Sequence, residues 1–408
     1  MASVVLLGTL DTKGPEYAFL QDRVRDAGCD VILVDAGVMS ERSPGDVTAD
    51  EVAMAAGEDR AALAAAGDRG PAVAAMTRGA VTVIRRLYEE GRLHGILGIG
   101  GSGGSSLISA AMQGLPVGVP KLLVSTMASG DTRPYVGTSD IAMMYSVVDI
   151  AGINGLSEKI LTNAAAGIAG MAKATESFVS RIEKKPLVGA TMFGVTTPCV
   201  TTAREWLEAH GYEVLVFHAT GAGGRSMEAL MEAGFITAAL DITTTELADE
   251  LVGGVLSAGP DRLEMAGSLG IPQVVSLGAL DMVNFGPLDT VPAPFKDRNL
   301  YVHNATVTLM RTTKDECAEL GRIIARKLNA AKGPLTVFVP LRGVSMIDVA
   351  DKPFYDAEAD AALMGELRAG LRPGVELVEV DTDINDPAFA TAMAERLDAL
   401  YRAWVADR

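Results

Sequence analysis

The sequence predicts an α/β chain of two domains, with mostly parallel sheets covered by helices on both faces. Three observations predict it. Short apolar runs that stop at a glycine alternate with longer helical segments along the whole chain, the pattern of strands buried on both faces. The two halves open alike: VVLLGTLDTKGPEYAFLQDRVRDAGCDVILVDAG and PLVGATMFGVTTPCVTTAREWLEAHGYEVLVFHATG each read strand, Gly-containing turn, Thr, Pro, helix, Gly, strand, as a degenerate duplication would. Finally, 408 residues exceed one ordinary domain of about 100–200 residues.

The elements follow in order. Val4–Leu7 is a buried strand stopped by Gly8, and Pro15 to Ala27 is a helix with Pro near its first turn and Gly28 closing it. Val31–Val34 is the next strand, Pro71–Glu90 a long helix ended by Gly91, and Gly95–Ile99 a strand that enters GGSGGSS. Lys121–Ser125 and Ile141–Val148 are further strands, and Asn163–Ala174 is a close-packed Ala/Gly helix. The charged stretch ending at Pro186 breaks the pattern, which places a domain boundary at 183/184. Beyond it, Leu187–Met192, Glu213–Phe217, Ile236–Leu240, Gln273–Leu277, Thr336–Val339 and Glu376–Val380 read as strands. Pro198–Ala209, Lys314–Leu328 and Asp386–Trp404 read as helices between them.

Composition narrows the function. Hydrophobic residues make up 49% and charged residues 21%, so the chain packs a core, which with 5% aromatics rests on aliphatic side chains. A net charge of -17 repels nucleic-acid phosphates and anionic membranes, so neither is an expected partner. Cys29, Cys199 and Cys317 are odd in number and widely spaced, which fits reduced thiols in the cytoplasm. MASVVLLGTLDTKG runs straight into a turn without a basic lead, so it reads as a first strand and not as a signal peptide.

Ligands of open parallel sheets sit outside the carboxyl ends of the strands, so the residues that follow each strand are the candidates. The first turn holds Gly8, Thr9, Asp11, Thr12 and Lys13: backbone N–H groups at a helix start, a cation for a phosphate, and an acid for Mg²⁺. It lacks the GxxxxGK[ST] spacing. The second turn, Gly100, Gly101, Ser102, Gly103 and Gly104, carries more glycine than a structural turn needs and suits close approach of backbone to an anion. It also lacks an in-register dinucleotide fingerprint, which favours ATP over NAD. Thr126 follows the next strand and is placed to close over a base or ribose.

In the second half, His218, Gly223, Gly224 and Arg225 join an imidazole, backbone donors and a guanidinium in one turn. Asp241, Glu246, Asp281, His303, Arg311 and Arg342 lie after or near other strands, so all are expected to face one cleft. His218, His303, Glu246 and Asp281 are the acid–base candidates there, and Gly223, Gly224, Arg225, Arg311 and Arg342 the substrate-binding ones. Cys199, at a helix start, is a lesser candidate nucleophile. His94 and His210 read as structural, and neither HExxH nor GxSxG is present.

At GTLDTKG, IGGSGGSS, MFGVTTPCV, HATGAGGRSME, GALDMVNFG and PLRGVS the chain resembles the tomato mosaic virus resistance protein-like (Tm-type) family. This family of unassigned reaction occurs in bacteria and fungi and forms the N-terminal half of a plant protein. The resemblance spans the whole chain. It implies two Rossmann-like domains, ATP binding with Mg²⁺ and homodimers. The nucleotide site then maps onto Thr9, Asp11, Thr12, Lys13 and Gly100–Gly104. Relatives paired with a TIM-barrel protein imply a separate partner chain for any reaction that needs both. The leading expectation is an ATP-dependent enzyme acting on a small organic acid by phosphoryl transfer or ATP-coupled activation. An ATP-independent hydrolase or lyase in the second domain, and a non-catalytic ATP sensor, are the alternatives.

Overall fold

The computed structural model describes residues 1–39, 44–179 and 185–408. The chain forms two compact units, Met1–Ile182 and Glu183–Arg408. The boundary expected at 183/184 lies outside the described residues.

In the first unit β1 (Ser3–Gly8), β2 (Asp30–Asp35), β3 (Gly95–Gly100), β4 (Lys121–Ser125) and β5 (Ala142–Tyr145) form a parallel sheet in the order β2-β1-β3-β4-β5. The connecting helices are α1 (Leu10–Asp26), α2 (Ala49–Ala55), α3 (Arg60–Ala66), α4 (Arg69–Glu89), α5 (Ser102–Gln113), α6 (Arg133–Val136) and α7 (Ser157–Glu176). Alternation along β1 explains the layering. Val5 and Leu7 enter one core with Met76, Ile84 and Ile108 of α4 and α5. Val4 and Leu6 enter the other with Leu20 and Ile168 of α1 and α7. Both faces are thus covered, and each strand reads as a continuous apolar run.

The second unit contains β6 (Leu187–Met192), α8 (Thr197–Ala209), β7 (Glu213–His218), α9 (Ala222–Glu232), β8 (Ala238–Thr243), α10 (Glu246–Val252), α11 (Met265–Leu269) and β9 (Gln273–Gly278). It continues with β10 (Met282–Phe285), β11 (Leu300–Asn304), β12 (Val307–Arg311), α12 (Lys314–Asn329), β13 (Leu335–Pro340), α13 (Ala357–Gly370), β14 (Glu376–Val380) and α14 (Pro387–Ala406). Its main sheet, β14-β13-β9-β8-β6-β7, is parallel. Counted along the chain, the strand order of both units is second, first, third, fourth, fifth, and the second unit adds a sixth. The two openings that look alike in sequence therefore start sheets of one topology.

Two features depart from the expected layout. A small antiparallel sheet, β10-β12-β11, is inserted after β9. And α1 begins at Leu10, so most of the first turn is helix, with an irregular residue at Lys13 (φ -129, ψ 21) just before Pro15.

Candidate functional site

In the first unit the chain leaves β1 into α1 on one face and leaves β3 into α5 on the other. Between two adjacent strands whose connections diverge, a crevice opens at their carboxyl ends. A cleft of about 1050 Å³ lies there, lined by Thr9, Asp11, Thr12, Lys13 and the whole Gly100–Gly104 turn. The structure thus brings nine of the expected nucleotide residues into one cavity wall. Its apolar side comes from Val38, Leu63, Val73 and Leu107. Gly8 does not line it. A Cβ on Gly8 would stand 2.0 Å from the Tyr17 hydroxyl, which accepts from the Ile99 N–H (2.9 Å) and ties β1 to β3.

The glycines of the second turn are not all explained by packing. Gly100 is required by packing, because a Cβ there would meet the Gly104 backbone at 3.0 Å. Gly101, Gly103 and Gly104 are not so constrained: the nearest protein atoms to an added Cβ lie 3.7 to 3.8 Å away. None of them has a positive φ. The first helical N–H, that of Ser105, bonds to the Gly101 carbonyl (2.8 Å). No side chain caps α5, so the N–H groups of its first turn have no side-chain acceptor. Ser105 also holds the turn to β4, with its hydroxyl 2.6 Å from that of Ser125.

The opposite wall is fixed more tightly. Buried Asp35 accepts from the N–H groups of Leu10 (3.1 Å) and Gly37 (2.8 Å), which anchors the start of α1. Asp11 accepts from the Met39 N–H (3.0 Å), and the Thr9 and Thr12 hydroxyls lie 2.9 Å apart. The Lys13 ammonium donates to the Ile150 carbonyl, so it sits at the cleft wall and does not reach freely into solvent. Arg69, at the start of α4, is a cleft residue that the sequence reading missed. A guanidinium nitrogen lies 3.8 Å from an added Cβ on Gly103, and Arg69 has no ion-pair partner among the described residues. It follows no strand, so its place in the sequence carries no signal of the site. Asp149 lines the same cleft, while Thr126 lines a smaller hollow beside it. Among the described residues no three His, Cys, Asp or Glu side chains cluster as a metal site.

In the second unit the expected single cleft of charged residues does not form. Glu246 is fully buried and accepts from the N–H groups of Gly221 (2.7 Å) and Gly224 (3.1 Å). The anion in that glycine turn is the protein's own carboxylate. A Cβ on Gly224 would lie 2.1 Å from it, and one on Gly223 would lie 1.9 Å from the His218 carbonyl, so both glycines serve packing. Arg262 completes the knot, bonding to Glu246 (2.6 Å) and to both oxygens of Asp241 (2.6 and 2.7 Å). Arg311 is equally committed: it pairs with Asp360 (2.6 Å) and Asp348 (3.3 Å) and donates to the Phe354 carbonyl (2.6 Å). Burial pushes the Asp281 carboxyl up, against the pull of Arg311, and its Oδ1 has no hydrogen-bond partner among the described residues.

The remaining candidates are dispersed. His218 is exposed at the end of β7, its ring 5.3 Å from that of Phe193, and Arg225 is exposed on α9. His303 lies on β11 of the small antiparallel sheet. Arg342 is exposed and paired with Asp381 (2.6 Å) beside a hollow of about 570 Å³. Cys199 is buried without exposure, which pushes its thiol up and removes the case for a nucleophile.

Two family models match the chain: the N-terminal domain of an uncharacterised protein family, UPF0261, over residues 2–177, and its C-terminal domain over residues 185–401. A UPF0261 protein of Clostridium tetani is 54% identical, over 97% of this chain and 98% of that protein. One of Mesorhizobium japonicum is 45% identical, over 98% of this chain and 99% of that protein. The ToMV resistance protein Tm-1(GCR237) of Solanum lycopersicum is 47% identical over 75% of this chain, but the match spans only 41% of the tomato protein.

Proposed function

The chain belongs to the UPF0261 family, and from the open cleft of its first unit we propose that it binds an adenine nucleotide, ATP with Mg²⁺, for phosphoryl transfer or ATP-coupled activation of a small metabolite. One observation carries the reading. Gly101, Gly103 and Gly104 have neither a positive φ nor a close neighbour to explain them, and they lie at the start of α5, which no side chain caps. Glycine there keeps backbone N–H groups reachable by phosphate oxygens. Arg69 would be the counter-charge, Asp11 would hold Mg²⁺ against the phosphates, and the apolar wall of Val38, Leu63 and Val73 suits a flat base. The volume is that of an ordinary small-molecule site, commonly about 300–1,000 Å³.

The test is calorimetric. Gly103→Val adds a side chain where the nearest protein atom is 3.8 Å from the new Cβ, so the fold is expected to survive. Unchanged circular dichroism with an ATP affinity reduced tenfold or more is the expected result. Unchanged affinity for ATP–Mg²⁺, or no binding heat from the parent protein, overturns the proposal.

A further inference from the structure

Beside the cleft lies a second hollow of about 300 Å³, lined by Thr126, Tyr145, Val147, Val148 and Asp149. Two features join it to the first. Asp149 lines both cavities, and the Thr126 hydroxyl lies 3.7 Å from an added Cβ on Gly101 of the phosphate turn. The Lys13 ammonium, held on the Ile150 carbonyl, marks the same junction. Anything seated in the smaller hollow would therefore meet the phosphate end of a ligand in the larger one.

The hollow is built at some cost. Val147 has φ +64, a conformation β-branched residues avoid, and it is the middle of a tight turn in which the Val148 N–H bonds to the Ser146 carbonyl (2.7 Å). The Ser146 hydroxyl holds the turn by donating to the Val148 carbonyl (2.7 Å), and the Ser146 N–H is tied to β4 at Ser125 (3.2 Å). Tyr145, Val147 and Val148 stay 43%, 55% and 37% exposed, so the turn presents apolar surface where solvent would favour polar residues. Strained backbone of this kind gathers at ligand sites.

The chemistry of the lining selects the occupant. An aromatic ring and two valines suit a flat apolar body. The charged group of the hollow is the Asp149 carboxylate, in a chain of net charge -17, so an anionic guest is disfavoured. Resting on the nucleotide reading above, we propose that this hollow is the acceptor site of a phosphoryl transfer, taking an uncharged hydroxyl-bearing compound whose O–H donates to Asp149. The acceptor oxygen attacks the terminal phosphorus of ATP. The bond from that phosphorus to the bridging oxygen breaks, ADP leaves with the electron pair, and the hydroxyl proton passes to Asp149.

Benzyl alcohol is the probe, used with the full chain. Its ring should give saturable saturation-transfer NMR signals that fall at least fivefold in Val147→Trp, which fills the hollow from an exposed position. With ATP–Mg²⁺ present, ³¹P NMR should detect benzyl phosphate, and Asp149→Asn, assayed with ATP saturating by its own calorimetric affinity, should slow its formation about hundredfold or more. A signal indifferent to Val147→Trp, a bound alcohol that is never phosphorylated, or equal rates in Asp149→Asn each overturn the acceptor site alone. So does a change of oligomeric mass in Val147→Trp with no effect on the probe, which would make the face a contact between copies of the chain. Absence of ATP binding overturns both proposals, and calorimetry tells the two failures apart.

Discussion

Glu246 shows how one residue changes what a glycine-rich turn is for. In sequence, His218–Arg225 offers backbone donors to an incoming anion; in the structure a carboxylate from 22 to 25 residues along the chain takes them. Arg262 then neutralises Glu246 and Asp241 without any exposure of its own. Removing one partner of such a buried group leaves uncompensated charge, a loss of about 3–5 kcal/mol. Arg262→Met should therefore lower the urea stability of the second unit by that order; a loss below about 1 kcal/mol would falsify the view that this knot holds the turn. Trp206 and Trp404, the two tryptophans of the chain, both lie in that unit and report its unfolding by fluorescence. Asp249 gives a second, pH-dependent case. Burial raises its carboxyl from the ordinary 3.8 to about 7, despite hydrogen bonds from Leu256 (3.2 Å) and from Asn284 (3.1 and 2.7 Å). The folded chain then keeps a proton that the unfolded chain has lost between about pH 4 and pH 7. Its stabilisation is complete below pH 4 and lost as pH rises through 7. Asp249→Asn mimics the protonated form, and its new N–H₂ can serve the Asn284 Oδ1, which is buried without a hydrogen-bond partner among the described residues, once that amide rotates. The urea midpoint of Asp249→Asn should fall less than the parent's across pH 4 to 7; parallel curves would remove Asp249 from the acid–base account.

At the scale of elements, the parallel strands were legible because a run such as Val4–Leu7 is apolar throughout and ends at glycine. The turns after them were legible too, since in this topology the first and third strands must open a crevice between them. The small antiparallel sheet was not. Its strands are four or five residues long, and β11 is mostly exposed, so neither length nor periodicity separates it from loop. The division between an open first-unit crevice and a sealed second-unit one was also illegible. Both third strands are followed by small residues, Gly100–Gly104 in one case and Thr243–Thr245 in the other. In the second unit those threonines are buried without exposure and Thr243 bonds to Thr196 (2.7 Å). What decides between the two is Arg262, which sits 16 and 21 residues from its partners, on a segment with no periodic signal. Sequence locality finds where a site can form; it does not find the distant side chain that fills it.

At the scale of the whole molecule, 52 acids against 35 bases set a field that opposes the ligand proposed for the cleft. The attraction is local: amide dipoles at the start of α5, Arg69 and the Lys13 ammonium act within a few ångströms. The repulsion is spread over the surface and acts at long range. Salt separates the two, because the screening length falls from about 30 Å at 0.01 M to about 10 Å at 0.1 M, while contacts inside a cleft are screened much less. Added salt should therefore relieve more repulsion than attraction during approach. The association rate of a fluorescent ATP analogue, followed by stopped flow at fixed free Mg²⁺, is expected to rise severalfold over that range. This is the reverse of the behaviour of a basic protein that gathers phosphates by its overall charge. A rate that falls steeply with salt would mean that the cleft's own positive potential reaches well into solvent, and the local account of nucleotide capture would have to give way to one of long-range steering.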